Sequence, residues 1–221
     1  MMKFLVPLLL AALAGPALAA SQLDGIQTGA PLAGQMEAIA KLNPAYRVSD
    51  IKPAKGRQVH GVQAVAEKNG RVTDNFVALA DDAGIVWFLG RSRALEPGER
   101  IKQDALVNTL VGQYGPYTDL TAGFPRWQFD RDGKLYQGSP IKGPCYGGFG
   151  HGVITVGRRV AGFGEGMTAP KTFSATCGAE VRTAVRKAAG GMVAAYSVRV
   201  VDAGRMADQT HGKNAAARHK K

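Results

Sequence analysis

Between residues 46 and 91 the chain alternates short β-branched runs with polar reversals, a pattern that predicts an antiparallel meander. The runs are 46–51, 58–66, 71–80 and 85–91. Asn69-Gly70 joins the second to the third, and both central positions of the favoured hairpin turn need positive φ, which Asn and Gly tolerate. Asp81-Asp82-Ala83-Gly84 makes a second, slightly longer reversal. Phe76, Trp87 and Phe88 read as core residues. Trp87 and Phe88 are expected on opposite sides of one strand, because strand neighbours alternate.

Helical spacing flanks this meander. Leu32, Met36, Ile39 and Ala40 share one face of a helix over 32–42, which stops at Asn43-Pro44 because proline disfavours helix in the residue before it. Ala105, Leu106, Leu110 and Val111 mark a second helix over 102–113, bounded by Pro97-Gly98 and Gly115-Pro116. A further hairpin pairs 126–129 with 134–137 around Asp130-Arg131-Asp132-Gly133, and strands 173–185 and 192–201 join across 188–191. About two helices and eight strands result, the strands arriving in hairpin runs. That is an α+β class with an antiparallel sheet, not a doubly wound parallel one.

Residues 20–203 are expected to form a single domain. The aromatic-flanked Asp/Gly turns within 76–88 and 127–136 suggest two helix-plus-meander halves, near 20–118 and 119–203. From about Ala203 the chain lacks aromatic and branched apolar residues, which predicts a mobile, disordered basic tail over 204–221.

The first residues change the compartment. Lys3 precedes an apolar core over 4–13, and Ala17-Leu18-Ala19 carries the small-x-small pattern read by signal peptidase. Residues 1–19 are therefore expected to be a cleaved signal peptide. The apolar core is short for a membrane span of about twenty residues, so no transmembrane segment is expected to remain. The mature chain would be periplasmic or secreted. In such a space an even cysteine count implies a disulfide. Cys145 and Cys177 would close a 33-residue loop, for which chain entropy gives roughly 3.5 kcal/mol.

Charge then points to partners. The chain has 28 Lys and Arg against 17 Asp and Glu, a formal charge of +11. Lys3 leaves with the signal, and Lys213, Arg218, Lys220 and Lys221 follow the last acid, Asp208, so the body holds 23 basic and 17 acidic residues. An exported surface of this kind favours an anionic envelope component (lipid headgroup, cell-wall polymer, nucleic acid) or an acidic protein. Candidate binding residues are Arg158 and Arg159, beside a segment over 143–166 in which nine of 24 residues are glycine. Glycine at that density lets backbone N–H groups converge on an anion, although no phosphate-loop or dinucleotide motif is present. Arg91 and Arg93, flanking Ser92, share one side of a strand and are the other candidates.

No cofactor or metal is expected, since His60, His151, His211 and His219 are scattered. No serine stands in G-x-S-x-G, and the acids Asp81-Asp82, Asp130/Asp132 and Glu96/Glu99 sit at turns, where they serve local backbone groups. The expected function is non-enzymatic binding in the envelope.

One segment carries a different reading. His151-Gly152-Val153-Ile154-Thr155-Val156-Gly157 resembles the strand bearing the catalytic histidine in papain-like cell-wall peptidases of the NlpC type. The resemblance implies a hydrolase with Cys145 as nucleophile and His151 as base. That family sets its cysteine at the start of a helix, well upstream of the histidine. Here Cys145 stands between Pro144 and Tyr146, six residues before His151.

Overall fold

Hydrogen-bonded pairing gathers the β-branched runs into one eight-stranded antiparallel sheet, covered on both faces. The computed structural model describes residues 21–51, 60–121, 124–146 and 152–218. In chain order its elements begin with β1 (Gln22–Leu23) and β2 (Ile26–Gln27). A 3-10 turn (Leu32–Gln35) then leads into α1 (Met36–Lys41). The meander follows as β3 (Arg47–Ile51), β4 (His60–Lys68), β5 (Arg71–Ala80) and β6 (Val86–Ala94). Next come α2 (Gln103–Tyr114), β7 (Asp119–Thr121), β8 (Phe124–Asp130), β9 (Val153–Thr155) and β10 (Thr168–Pro170). β11 (Cys177–Lys187), β12 (Val193–Asp202) and α3 (Ala203–Arg218) complete the chain. The main sheet runs β3-β4-β5-β6-β12-β11-β8-β7. Two runs of four strands therefore meet at the central β6–β12 pair, each preceded by a helix.

The α+β class, the antiparallel pairing and the disulfide stand as expected. Asn69 and Gly70 adopt φ of 51° and 71°, as a tight hairpin between β4 and β5 requires. The hairpin read over 126–137 is shorter than expected. Only a bridge between Phe129 and Leu135 forms, while β8 takes β7 and β11 as its ladder partners. The expected signal peptide and residues 58 and 59 lie outside the described residues.

Alternation decides what each face buries. On one face Phe76, Leu89, Trp127 and Val198 meet Ile39 of α1 and Leu106, Leu110 and Tyr114 of α2. Trp127 is fully buried; its ring lies 5.3 Å from that of Tyr114, and its Nε1–H donates to the Gly115 carbonyl at 2.8 Å. The other face carries Val77, Leu79 and Phe88 under the excursion between β8 and β11, which holds the disulfide. Glycines let that excursion lie flat on the sheet. A Cβ on Gly157 would stand 2.7 Å from Asn75 Nδ2 and from Val77 Cγ2, and one on Gly166 would meet the Gly157 carbonyl at 2.2 Å.

Trp87 departs from simple alternation. Ala80 pairs with Val86 and Leu79 with Phe88, so Trp87 is the extra residue of a β-bulge. A bulge turns two successive side chains toward the same side. Trp87 and Phe88 accordingly share one cluster with ring centroids 5.7 Å apart, rather than facing opposite ways.

The chain beyond Ala203 is also not as expected: residues 203–218 are helical. What composition hid is long-range docking. Ala203 and Ala207 are buried, Arg205 pairs with Asp81 at 2.5 Å, and Arg131 pairs with Asp208 at 2.6 Å. Asp81 and Asp130 head identical turns, each carboxylate accepting the N–H groups two and four residues on. The two turns thus hold α3 from both sides. Burial pushes the Asp81 carboxyl up, but the Ile85 and Ala83 N–H groups and Arg205 outweigh it and leave its pKa lowered. A lowered folded-state pKa gives stability that is present above the unfolded value and lost as pH falls through the folded one. Asp81→Asn should cost about 1 kcal/mol at neutral pH. In thermal melts that difference should vanish in acid, where wild-type Asp81 is itself neutral.

Candidate anion-binding groove

The β4–β5 turn, the loop over 158–163 and the loop after β6 converge at one end of the sheet. Arg71 follows the Asn69-Gly70 turn directly. The 158–163 loop is tied down by three contacts: the Arg158 N–H donates to Asn75 Oδ1 at 3.2 Å, the Ala161 N–H donates to the Val72 carbonyl at 2.9 Å, and Val160 is buried against Val65 and Val72. Anchoring Val160 leaves its neighbours Arg158 and Arg159 at the surface, both exposed.

Two cavities of about 460 and 700 Å³ result, and they meet at Arg71, Ala161 and Gly162. Lys68, Arg71, Arg100, Arg158, Arg159 and Arg186 line the combined groove. Two carboxylates answer them: Glu67, 2.6 Å from Arg158, and Glu96, 3.4 Å from Lys68, each pair well exposed. Solvent-exposed pairs of this kind hold little energy. Arg100 Nε is buried with no hydrogen-bond partner. The groove is thus a concave surface with a surplus of guanidinium groups, which present planar forks to carboxylate, sulfate or phosphate oxygens.

Of the residues singled out from sequence, Arg158 and Arg159 lie in this groove. Arg91 and Arg93 do not. They point to the opposite, helix-covered side, because their strand partners Phe76 and Asp74 belong to that face. Arg91 is 12% exposed and donates to Asp74 from Nε at 3.1 Å and Nη2 at 2.6 Å, and from Nη1 to Asp24 at 3.0 Å. Tyr46 Oη and Asn43 Nδ2 also donate to Asp74, at 2.7 and 3.2 Å. Burial works against the Arg91 charge, but Asp74 more than offsets it and holds the proton more tightly than usual. Arg93 pairs with Glu99 at 3.1 Å. Arg91 is engaged in holding the fold, whereas the Arg93 pair is exposed at the surface. Lys68 and Arg71 flank the Asn69-Gly70 turn and pair across it, but nothing local in the sequence brings Arg100 and Arg186 to them.

Cys145 and Cys177 form a disulfide, both 1% exposed, so Cys145 offers no thiol for the nucleophile that the peptidase resemblance requires. The Gln128 side chain accepts the Cys145 N–H at 3.0 Å and fixes that end of the excursion. His151 and residues 147–150 of the glycine-rich segment lie outside the described residues. Among the described residues no cluster of His, Cys, Asp and Glu is placed to hold a metal, and no helix is long and apolar enough to cross a membrane. No protein-family model, curated protein or solved structure matches the chain.

Proposed function

We propose that this is an exported binding protein, without catalytic activity of its own, which holds a linear anionic polymer in the periplasm or outside the cell. The single observation that carries this reading is the groove where six basic side chains converge against two exposed carboxylates. A structural disulfide and the Ala17-Leu18-Ala19 pattern support the compartment.

A polymer fits better than a lipid surface. Membrane-inserting surfaces place large apolar side chains beside their cations. Among the described residues the exposed large apolar ones are Ile101, Leu120, Ile141, Tyr146 and Val153, of which only Ile101 adjoins a groove residue. Of the larger apolar groove residues, Val72, Val160 and Leu95 are buried and Phe163 is half-buried.

Retention of the purified mature protein on immobilised heparin tests the reading. The wild type should bind at low salt and release as salt rises, because exposed charges are screened within about 8 Å at physiological ionic strength. Replacing Arg71, Arg158 and Arg159 together with Ala should weaken binding roughly ten- to a hundred-fold at low salt. The melting temperature should stay nearly unchanged. Absence of wild-type binding at low salt would remove the reading.

A further inference from the structure

Register on the sheet face beneath the excursion opposes three arginines on neighbouring strands. Arg126 of β8 stands opposite Arg182 of β11, and Arg182 stands opposite Arg199 of β12. Like charges directly opposite one another weaken a sheet, and carboxylates lie among these arginines. Buried Glu180 lies 2.7 Å from Arg182 Nε and 3.9 Å from Arg126 Nη1, Asp119 lies 2.8 Å from Arg126 Nε, and Glu180 and Glu165 both favour the Arg199 charge. Burial, and then the neighbouring Arg182, pull the Arg199 pKa below its usual value.

Beside Arg199 the same face carries two serines in register, Ser197 opposite Ser92, which are 8% and 6% exposed. The chain over 163–168 arches above them. It brings the Thr168 hydroxyl to 2.9 Å from Arg199 Nη1, and it seats Met167 on Gly90, where a Cβ would meet Met167 Sδ at 2.8 Å. The half-open cavity is about 400 Å³, floored by Ser92, Ser197, Ala184 and Arg199 and walled by Phe163 and Met167. Exposed Glu165 stands at its rim.

This lining discriminates among anions. Three hydroxyls and a guanidinium match a ligand that combines ring hydroxyls with an acid group, and the apolar surfaces of Phe163, Met167 and Ala184 suit the C–H face of a ring. A bare phosphate chain offers neither ring hydroxyls nor an apolar face. The volume lies within the usual range for small-ligand sites and suits one sugar ring. Phe163 lines both this cavity and the basic groove, so the two adjoin.

Building on the groove reading, we propose that the cavity holds one uronic-acid residue of an anionic polysaccharide, with neighbouring units lying along the groove. Its carboxylate meets Arg199, and its hydroxyls meet Ser92, Ser197 and Thr168.

Calorimetric titration of the full mature protein with oligogalacturonate, and with polyphosphate of matched charge, tests this. The wild type should prefer oligogalacturonate at least tenfold. Ala184→Leu fills the cavity without changing charge, and it should abolish that preference while leaving polyphosphate binding intact. Glu165→Gln removes a like charge at an exposed rim position, where folding is not at stake, and should tighten oligogalacturonate binding several-fold. Equal affinity for the two polymers, with both variants unchanged toward oligogalacturonate, would overturn the cavity proposal and leave the groove standing. If neither polymer binds at low salt, the groove reading falls and takes the cavity with it.

Discussion

Replacing Arg91 with Met should destabilise the protein by about 3–5 kcal/mol, because it strands a buried carboxylate. The Asp74 side chain is 3% exposed and loses two guanidinium hydrogen bonds, keeping only the Tyr46 hydroxyl and the Asn43 amide. The variant also cuts the tie to Asp24, which joins the strand β6 to the N-terminal β1–β2 turn across 67 residues. Asp74→Asn in the same background should recover part of the loss, since a neutral amide needs no counter-charge. Chemical denaturation of the single and double variants measures both effects. Heparin binding per folded molecule should remain at the wild-type level in both, which separates this arginine from Arg158 and Arg159.

Opening the Cys145–Cys177 bond should cost roughly 3.5 kcal/mol by chain entropy alone. The bond spans 32 positions and sits in the cluster of Val77, Leu79, Trp87 and Phe88, so the excursion loses its covalent hold on the sheet where that hold is most buried. For a chain of this size that corresponds to a fall in melting temperature of about 7–14 °C. Cys145→Ser with Cys177→Ser, compared with wild type by calorimetry, reads the effect. A melting temperature within a degree or two of wild type would show that the bridge contributes nothing.

Local grammar in the sequence carried much of the architecture and little of the site. Asn69-Gly70 and Asp81 to Gly84 announced their turns because a turn is decided by the residues that make it. The helix over Gln103–Tyr114 was legible for the same reason: its apolar spacing and its Gly115-Pro116 stop lie within one segment. Three-residue strands such as Asp119–Thr121 and Val153–Thr155 have too few positions to show alternation. α3 was illegible because it docks through Asp81 and Arg131, which lie far from it in the chain.

The arginines show the same limit more sharply. In sequence Arg91 and Arg158 look alike, each a basic residue near another. Only the fold puts Asp74 and Asp24 around the first and Arg71 beside the second. Some of the described glycines in the excursion likewise serve close packing. Gly157 and Gly166 allow backbone to lie against the sheet and against itself.

The binding claim is tested most directly by mapping where a polyanion touches the mature protein. An isotope-labelled sample titrated with a short heparin fragment should show its largest amide shifts at Gly70, Arg71, Arg158 to Gly162 and Arg186. The amides of α1 and α2 should barely move. Shifts confined to the basic end of α3, or spread evenly over the surface with no maximum in the groove, would contradict it.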